Sequence, residues 1–143
     1  MNYLDSGSTR RPIPSPATRA AMVLVGLFVL GASIAFYVRA DVGADPFTVL
    51  ALGISNRTGA TVGVATQLVG AGLLVLLLGV DRRHIGVGTL LNAVLVGGFA
   101  DIVLRFVPRP LGFLSTIAMA SAAVLMMGVG VGLYVSGGLG EGA

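Results

Sequence analysis

Asp45, Gln67 and Asp101 are the side chains in this sequence best placed to do chemistry, because each puts a polar or ionisable group in or beside a long apolar run. A carboxylate there is costly in lipid unless it is paired or faces a cavity, so it marks an ion path, a proton relay or a structural pair. Arg105 follows Asp101 at the i,i+4 spacing where helical side chains meet. Two readings stay open. Asp101 lines a transport path, or Arg105 reaches the membrane surface and steadies it as an ion pair. Gln67 lies in the outer half of the preceding apolar run, at a depth comparable to Asp101 in an antiparallel neighbour. A substrate-binding cluster of Asp45, Gln67 and Asp101 is sterically allowed.

Asn92 and Asp101 differ by nine positions, which puts them about 180° apart on a helix, so a straight helix cannot turn both to one pocket. With Gly88 one turn earlier, Asn92 reads as a packing position where an amide bonds across a close glycine approach, the alternative being a ligand contact. Gly128 and Gly132 form a GxxxG pair, a packing or dimer face. Enzymatic chemistry finds no support. An aspartyl dyad needs its carboxylates within a few ångströms to share a proton, and nothing in the spacing of Asp45 and Asp101 enforces that. There is no cysteine, the lone His84 has no partner ligands, and Gly86-Val87-Gly88 follows no strand and lacks the third glycine of a dinucleotide loop. The chain is read as non-enzymatic, without cofactor or metal.

The elements that must position these residues are four apolar runs: 20–38, 60–80, 85–107 and 111–135. The first holds 19 uncharged residues, enough for about 28 Å of helix. Residues 1–16 form a polar tail broken by Pro12, Pro14 and Pro16, and residues 17–143 form the membrane domain. Between the first two runs lies the glycine-rich, polar interruption Arg39–Gly59. Asp45-Pro46 reads as a helix start: Asp caps free N–H groups, and Pro fits the first helical position because its missing N–H had no partner to lose. The apolar stretch Phe47–Ile54 then ends at Ser55-Asn56-Arg57-Thr58-Gly59, a cluster of turn formers. A helix over about 45–56 is roughly 16 Å long, half of a bilayer core of about 30 Å. The predicted fold is all-α: a polytopic membrane helix bundle of about four spans plus one re-entrant or half-spanning helix.

Composition agrees. The chain is 55% hydrophobic and only 10% charged, with a mean hydropathy of +0.95. The net charge of +3 comes from arginines scattered at span edges and in the tail. That excludes a clustered nucleic-acid face and makes the lipid bilayer the partner. Arg10, Arg11, Arg19, Arg82 and Arg83 on one side outnumber Arg39, Arg57, Arg105 and Arg109 on the other, which predicts a cytoplasmic N-terminus. Sliding the chain by 97 residues aligns Ala21-Met22 with Ala118-Met119, Gly31 with Gly128, Tyr37-Val38 with Tyr134-Val135 and Gly43 with Gly140. Three full spans per unit would invert the second copy, the pattern of many secondary transporters.

From Val42 to Asp101 the sequence resembles the YczE/YitT-type family of bacterial integral membrane proteins. The matching residues are Gly43-Ala44-Asp45-Pro46-Phe47 with Leu50, then Gly53, Ser55, Thr58-Gly59 and Gly63, then Gly86-Val87-Gly88-Thr89-Leu90-Leu91-Asn92 and Asp101. The resemblance implies a multi-span protein that continues beyond Gly140 into another half-helix and further spans. By that pattern the chain is a fragment, or it assembles with a second copy or another membrane subunit. The functional expectation is a small-solute transporter or permease component with its site at the half-helix. The alternative is a structural or accessory membrane protein that packs with another subunit.

Overall fold

The computed structural model describes residues 15–80 and 87–138. These form five helices and, among the described residues, no strand: α1 (Pro16–Ala40), α2 (Pro46–Thr58), α3 (Val62–Val80), α4 (Val87–Phe106) and α5 (Phe113–Ser136). All but α2 are long and apolar enough to cross a membrane. The chain is therefore the expected all-α bundle of four spans and one short helix.

Local chemistry sets the boundaries. The first helix begins before the apolar run at Ala20, because Ser15 accepts the Thr18 N–H at 3.2 Å and Pro16 occupies the first turn. It ends at Asp41, which adopts the left-handed conformation (φ 54°) and donates its N–H to the Tyr37 carbonyl. Aspartate tolerates that conformation better than most side chains do. Helix α2 has Asp45 as N-cap and Pro46 in its first turn, and Gly59 (φ 74°) closes it in the left-handed region that glycine enters without strain. Its 13 residues span about 20 Å.

Three polar contacts fix the directions of the long helices. Arg39, at the end of α1, donates to the Leu104 carbonyl near the end of α4, so these two run parallel. Arg19, at the start of α1, donates from Nε to the Gly137 carbonyl and from Nη2 to that of Gly138, both at 3.0 Å, so α5 runs antiparallel to α1. Asp101, late in α4, bonds the first residues of α3, so that pair is antiparallel too. The bundle thus has an Arg39 end and an Arg19 end. Helix α1 is its hub, packed on α4 and α5, while α3 packs on α4 and α2 on α3.

Two apolar clusters hold it. Val23, Leu27, Ile34, Val96 and Ala100 join α1 to α4, and Ala51, Ala65 and Val69 join α2 to α3. Glycines bring the backbones close. A Cβ on Gly26 would stand 2.7 Å from the Tyr134 nitrogen, and one on Gly31 2.6 Å from the Phe99 Cβ. Such seams are how helices associate where lipid removes the hydrophobic drive between them. The outer surface is apolar: Val75, Leu76 and Leu125 are about two-thirds exposed, which suits contact with acyl chains rather than water.

Candidate functional site

Helix α2 stops partway through the bundle. Its last turn lies level with the start of α3, since the two are joined by a three-residue turn in which the Ser55 hydroxyl donates to the Ala60 carbonyl at 2.7 Å. Its first turn lies deeper: Phe47 packs on the Ala65–Val69 cluster, and Asp45 borders a cavity with Ala120, Ser121 and Val124 of α5. Those positions are about 10–16 Å below the start of α5. The chain reaches that depth through the short non-helical link from Asp41 to Asp45, where Gly43 takes φ 104°. Asp45 is the N-cap there. Its Oδ1 accepts from Phe47 N–H (3.0 Å) and Thr48 N–H (3.1 Å), and its Oδ2 accepts from the Thr48 hydroxyl (2.6 Å). The positive end of the α2 dipole is thereby met by the chain's own carboxylate.

Asp101 does the same for another helix. Its Oδ1 accepts from Gly63 N–H at 2.8 Å and its Oδ2 from the Thr61 hydroxyl at 2.5 Å, while the Thr61 oxygen accepts from Val64 N–H at 3.2 Å. A side chain of α4 thus caps the start of α3. Asp101 and Arg105 form no ion pair; the carboxylate turns toward the N–H groups of α3, which have no helical partner of their own. Gln67 Nε2 donates to the Val94 carbonyl at 2.6 Å, across the same α3–α4 seam, and Gly97 lies against the Gly63 carbonyl between these two contacts. So Gln67 and Asp101 share a seam, and Asp45 serves a different helix start.

Gly88 is buried. Asn92 lines a cavity between α3 and α4, and its amide forms no hydrogen bond with a described residue. Gly128 and Gly132 meet open space on α5. The close approach to α1 falls instead to Gly130, where a Cβ would stand 2.9 Å from the Leu30 side chain and 3.1 Å from the Gly26 carbonyl. His84, Arg82, Arg83, Gly86 and the residues after Gly138 lie outside the described residues.

The short span of α2 leaves space at both of its ends. Toward the Arg39 end, a polar cavity of about 450 Å³ is bordered by Tyr37, Arg39, Asp41, Asn56, Arg109 and Thr116. It shares Tyr37, Gly43 and Ala44 with the cavity at Asp45, so the two run together beside the link before α2. Toward the Arg19 end, a cavity of about 200 Å³ lies between α3 and α4, from Thr66 to Leu77 on one helix and from Thr89 to Val96 on the other. Phe47 borders it from the first turn of α2. Sequence reasoning missed Phe47 and Arg39. Phe47 read as one more apolar residue, and Arg39 as a span-edge charge. The Arg39 Nε is buried and unpartnered, the exception to a bundle whose buried hydroxyls (Ser33, Thr48, Thr66) all donate hydrogen bonds. Among the described residues no three His, Cys, Asp or Glu side chains come together as a metal site.

Residues 17–141 match a family described as "Family of unknown function (DUF6198)". The chain belongs to this family, and it is of the YczE type. It is 30% identical over 125 residues to the Bacillus subtilis "Uncharacterized membrane protein YczE", an alignment covering 87% of this chain and 58% of that one. It is 28% identical over 122 residues to an "Uncharacterized protein" of Haemophilus influenzae, covering 85% and 56% respectively. The chain therefore spans less than two-thirds of the length of these relatives. No solved structure matches it. Family and fold together make the chain a multi-pass integral membrane protein.

Proposed function

We propose that the chain is a transporting component of a bacterial plasma membrane permease, with its N-terminus cytoplasmic and a small solute as cargo. One observation carries this reading. Helix α2 ends inside the bundle, and cavities open beyond its first turn toward the Arg39 end and toward the Arg19 end. Broken or half-spanning helices at mid-depth are where secondary transporters hold their cargo, because irregular backbone is tolerated in a membrane where it lines a cavity. Phe47 and the link before it then stand between the two compartments. The path needs no chemical step, no cofactor and no metal.

A second reading follows from α5, which packs on α1 alone among the stronger contacts and leaves Gly128 and Gly132 open. In it, that face seats a second copy or another subunit, and the chain is an accessory. Stopped-flow light scattering of proteoliposomes decides between the two. Vesicles holding the chain are shrunk with gradients of acetamide, urea, acetate or alanine, and reswelling reports entry. Transport predicts faster reswelling than in empty vesicles for at least one solute. It also predicts loss of that gain in Ala44→Trp, which fills the crevice shared by the two cavities at the Arg39 end. Rates equal to empty vesicles across the panel would favour the accessory role.

A further inference from the structure

We propose that the cavity between α3 and α4 is a binding pocket for a small uncharged solute, with the Asn92 amide as its recognition group. This deepens the transport reading and rests on it. Three observations converge. First, the Asn92 amide is half-buried, about 8 Å along α4 from its start, and bonds no described residue, although a primary amide carries two donors and an acceptor. Leaving such a group unpaired in hydrocarbon is unfavourable, so its partner is a molecule that enters the cavity. Second, among the described residues no charged side chain borders the cavity; its other walls include Phe47, Gly70, Leu74 and Val96. An ion would give up its hydration there without gaining a counter-charge, whereas an uncharged molecule would not. Third, the volume of about 200 Å³ is somewhat larger than the roughly 150 Å³ of an apolar cavity that takes up benzene.

The solute class is therefore an uncharged molecule of about a dozen heavy atoms or fewer. One end offers both a donor and an acceptor to Asn92, and the body is apolar. The Thr66 hydroxyl donates to the Val62 carbonyl at 2.8 Å, which leaves its oxygen able to accept a second contact. Phe47 borders the cavity from the first turn of α2, so movement of that turn would open or close it.

The sequence contains no cysteine, so a single introduced thiol reports on the cavity alone. Gly70→Cys is the reporter, because a Cβ there meets Ala93 at 3.5 Å, an ordinary van der Waals separation. Leu74→Cys on the same wall is the second reporter should the first fail to fold. The full chain in liposomes is treated with methyl methanethiosulfonate, with and without benzamide, benzoate or benzene. Benzamide is expected to slow the reaction at Cys-bearing chains that keep Asn92. In Asn92→Leu its apparent affinity should fall by about tenfold, because the paired amide contact is lost. Benzoate should protect weakly, and benzene should protect equally with and without Asn92→Leu. Benzoate protecting as well as benzamide, or Asn92→Leu leaving benzamide protection unchanged, overturns the assignment. So does a thiol on both reporters that never reacts. Protection is read without flux, so the two ideas fail separately. Benzamide protection without reswelling for any solute defeats transport and keeps the pocket, and reswelling without protection does the reverse.

Discussion

Replacing Asp101 by Asn separates a carboxylate that builds the bundle from one that moves ions. Its two oxygens take the Gly63 N–H at 2.8 Å and the Thr61 hydroxyl at 2.5 Å, at the start of α3. Neutral hydrogen bonds between membrane helices contribute only about 0.6 kcal/mol on average. Bonds to a charged acceptor contribute about 1.5–3 kcal/mol, and a negative charge at a helix start adds about 0.3–1 kcal/mol. The charge therefore decides the size of the effect. Asn keeps one accepting oxygen but turns an NH2 toward donors, so Asp101→Asn is expected to lower unfolding free energy by about 1–3 kcal/mol. Asp101→Ala, which leaves the Gly63 N–H unpaired, should cost about 2–4 kcal/mol. Titration of dodecyl maltoside micelles with SDS, followed by circular dichroism at the helix band, measures both. Double-mutant cycles locate the partner. Asp101 and Thr61 should couple by about 1 kcal/mol, while Asp101 and Arg105 should couple by less than about 0.3 kcal/mol, because no ion pair joins them. Strong coupling to Arg105 with none to Thr61 would refute the cap. Unchanged stability in Asp101→Asn combined with lost solute flux would assign the carboxylate to transport instead.

Gly97→Leu would drive a side chain into the Gly63 carbonyl and to within 2.9 Å of the Gln67 Cγ, so α3 and α4 must separate; a loss of about 3 kcal/mol or more is expected in the same titration. Gly128→Leu meets open space and should stay within about 0.5 kcal/mol of the parent, unless the chain dimerises through that face, which cross-linking would reveal. Asp45→Ala removes the cap of α2 and should cost about 1–2 kcal/mol; hydrogen exchange should accelerate in Phe47 and Thr48 first, and uniform exchange along α2 would contradict the cap.

The fold was legible in the sequence because lipid imposes few solutions. Long uncharged runs must be helices, and Asp45-Pro46 with Gly59 marks both ends of the short one by backbone chemistry alone. Partners were harder to read. Arg105 follows Asp101 at a pairing distance, yet the carboxylate turns across to α3. That choice depends on the approach of Gly63 and Gly97, a tertiary fact with no local signal. The GxxxG spacing of Gly128 and Gly132 pointed to one face of α5, while Gly130 between them makes the contact with α1. A spacing motif says that a helix can approach closely, and the rotation that buries one face is settled by all its neighbours together.

An intramembrane carboxylate invites an ion path by default, yet here both carboxylates that looked like site residues are held at helix starts. The start of α2 lies inside the bundle, where free N–H groups have less access to water than at a membrane surface, whereas the start of α3 lies level with the last turn of α2 at the Arg39 end. A half-spanning helix therefore requires an acceptor at its buried end, and a carboxylate supplies it most strongly. Gln67 is likewise held, by the Val94 carbonyl. Asn92 differs: its amide bonds no described residue, and it faces a cavity that no charged side chain among the described residues borders. In a membrane, an unspent hydrogen-bonding group is a stronger indicator of a ligand than a charged one already bonded to the backbone.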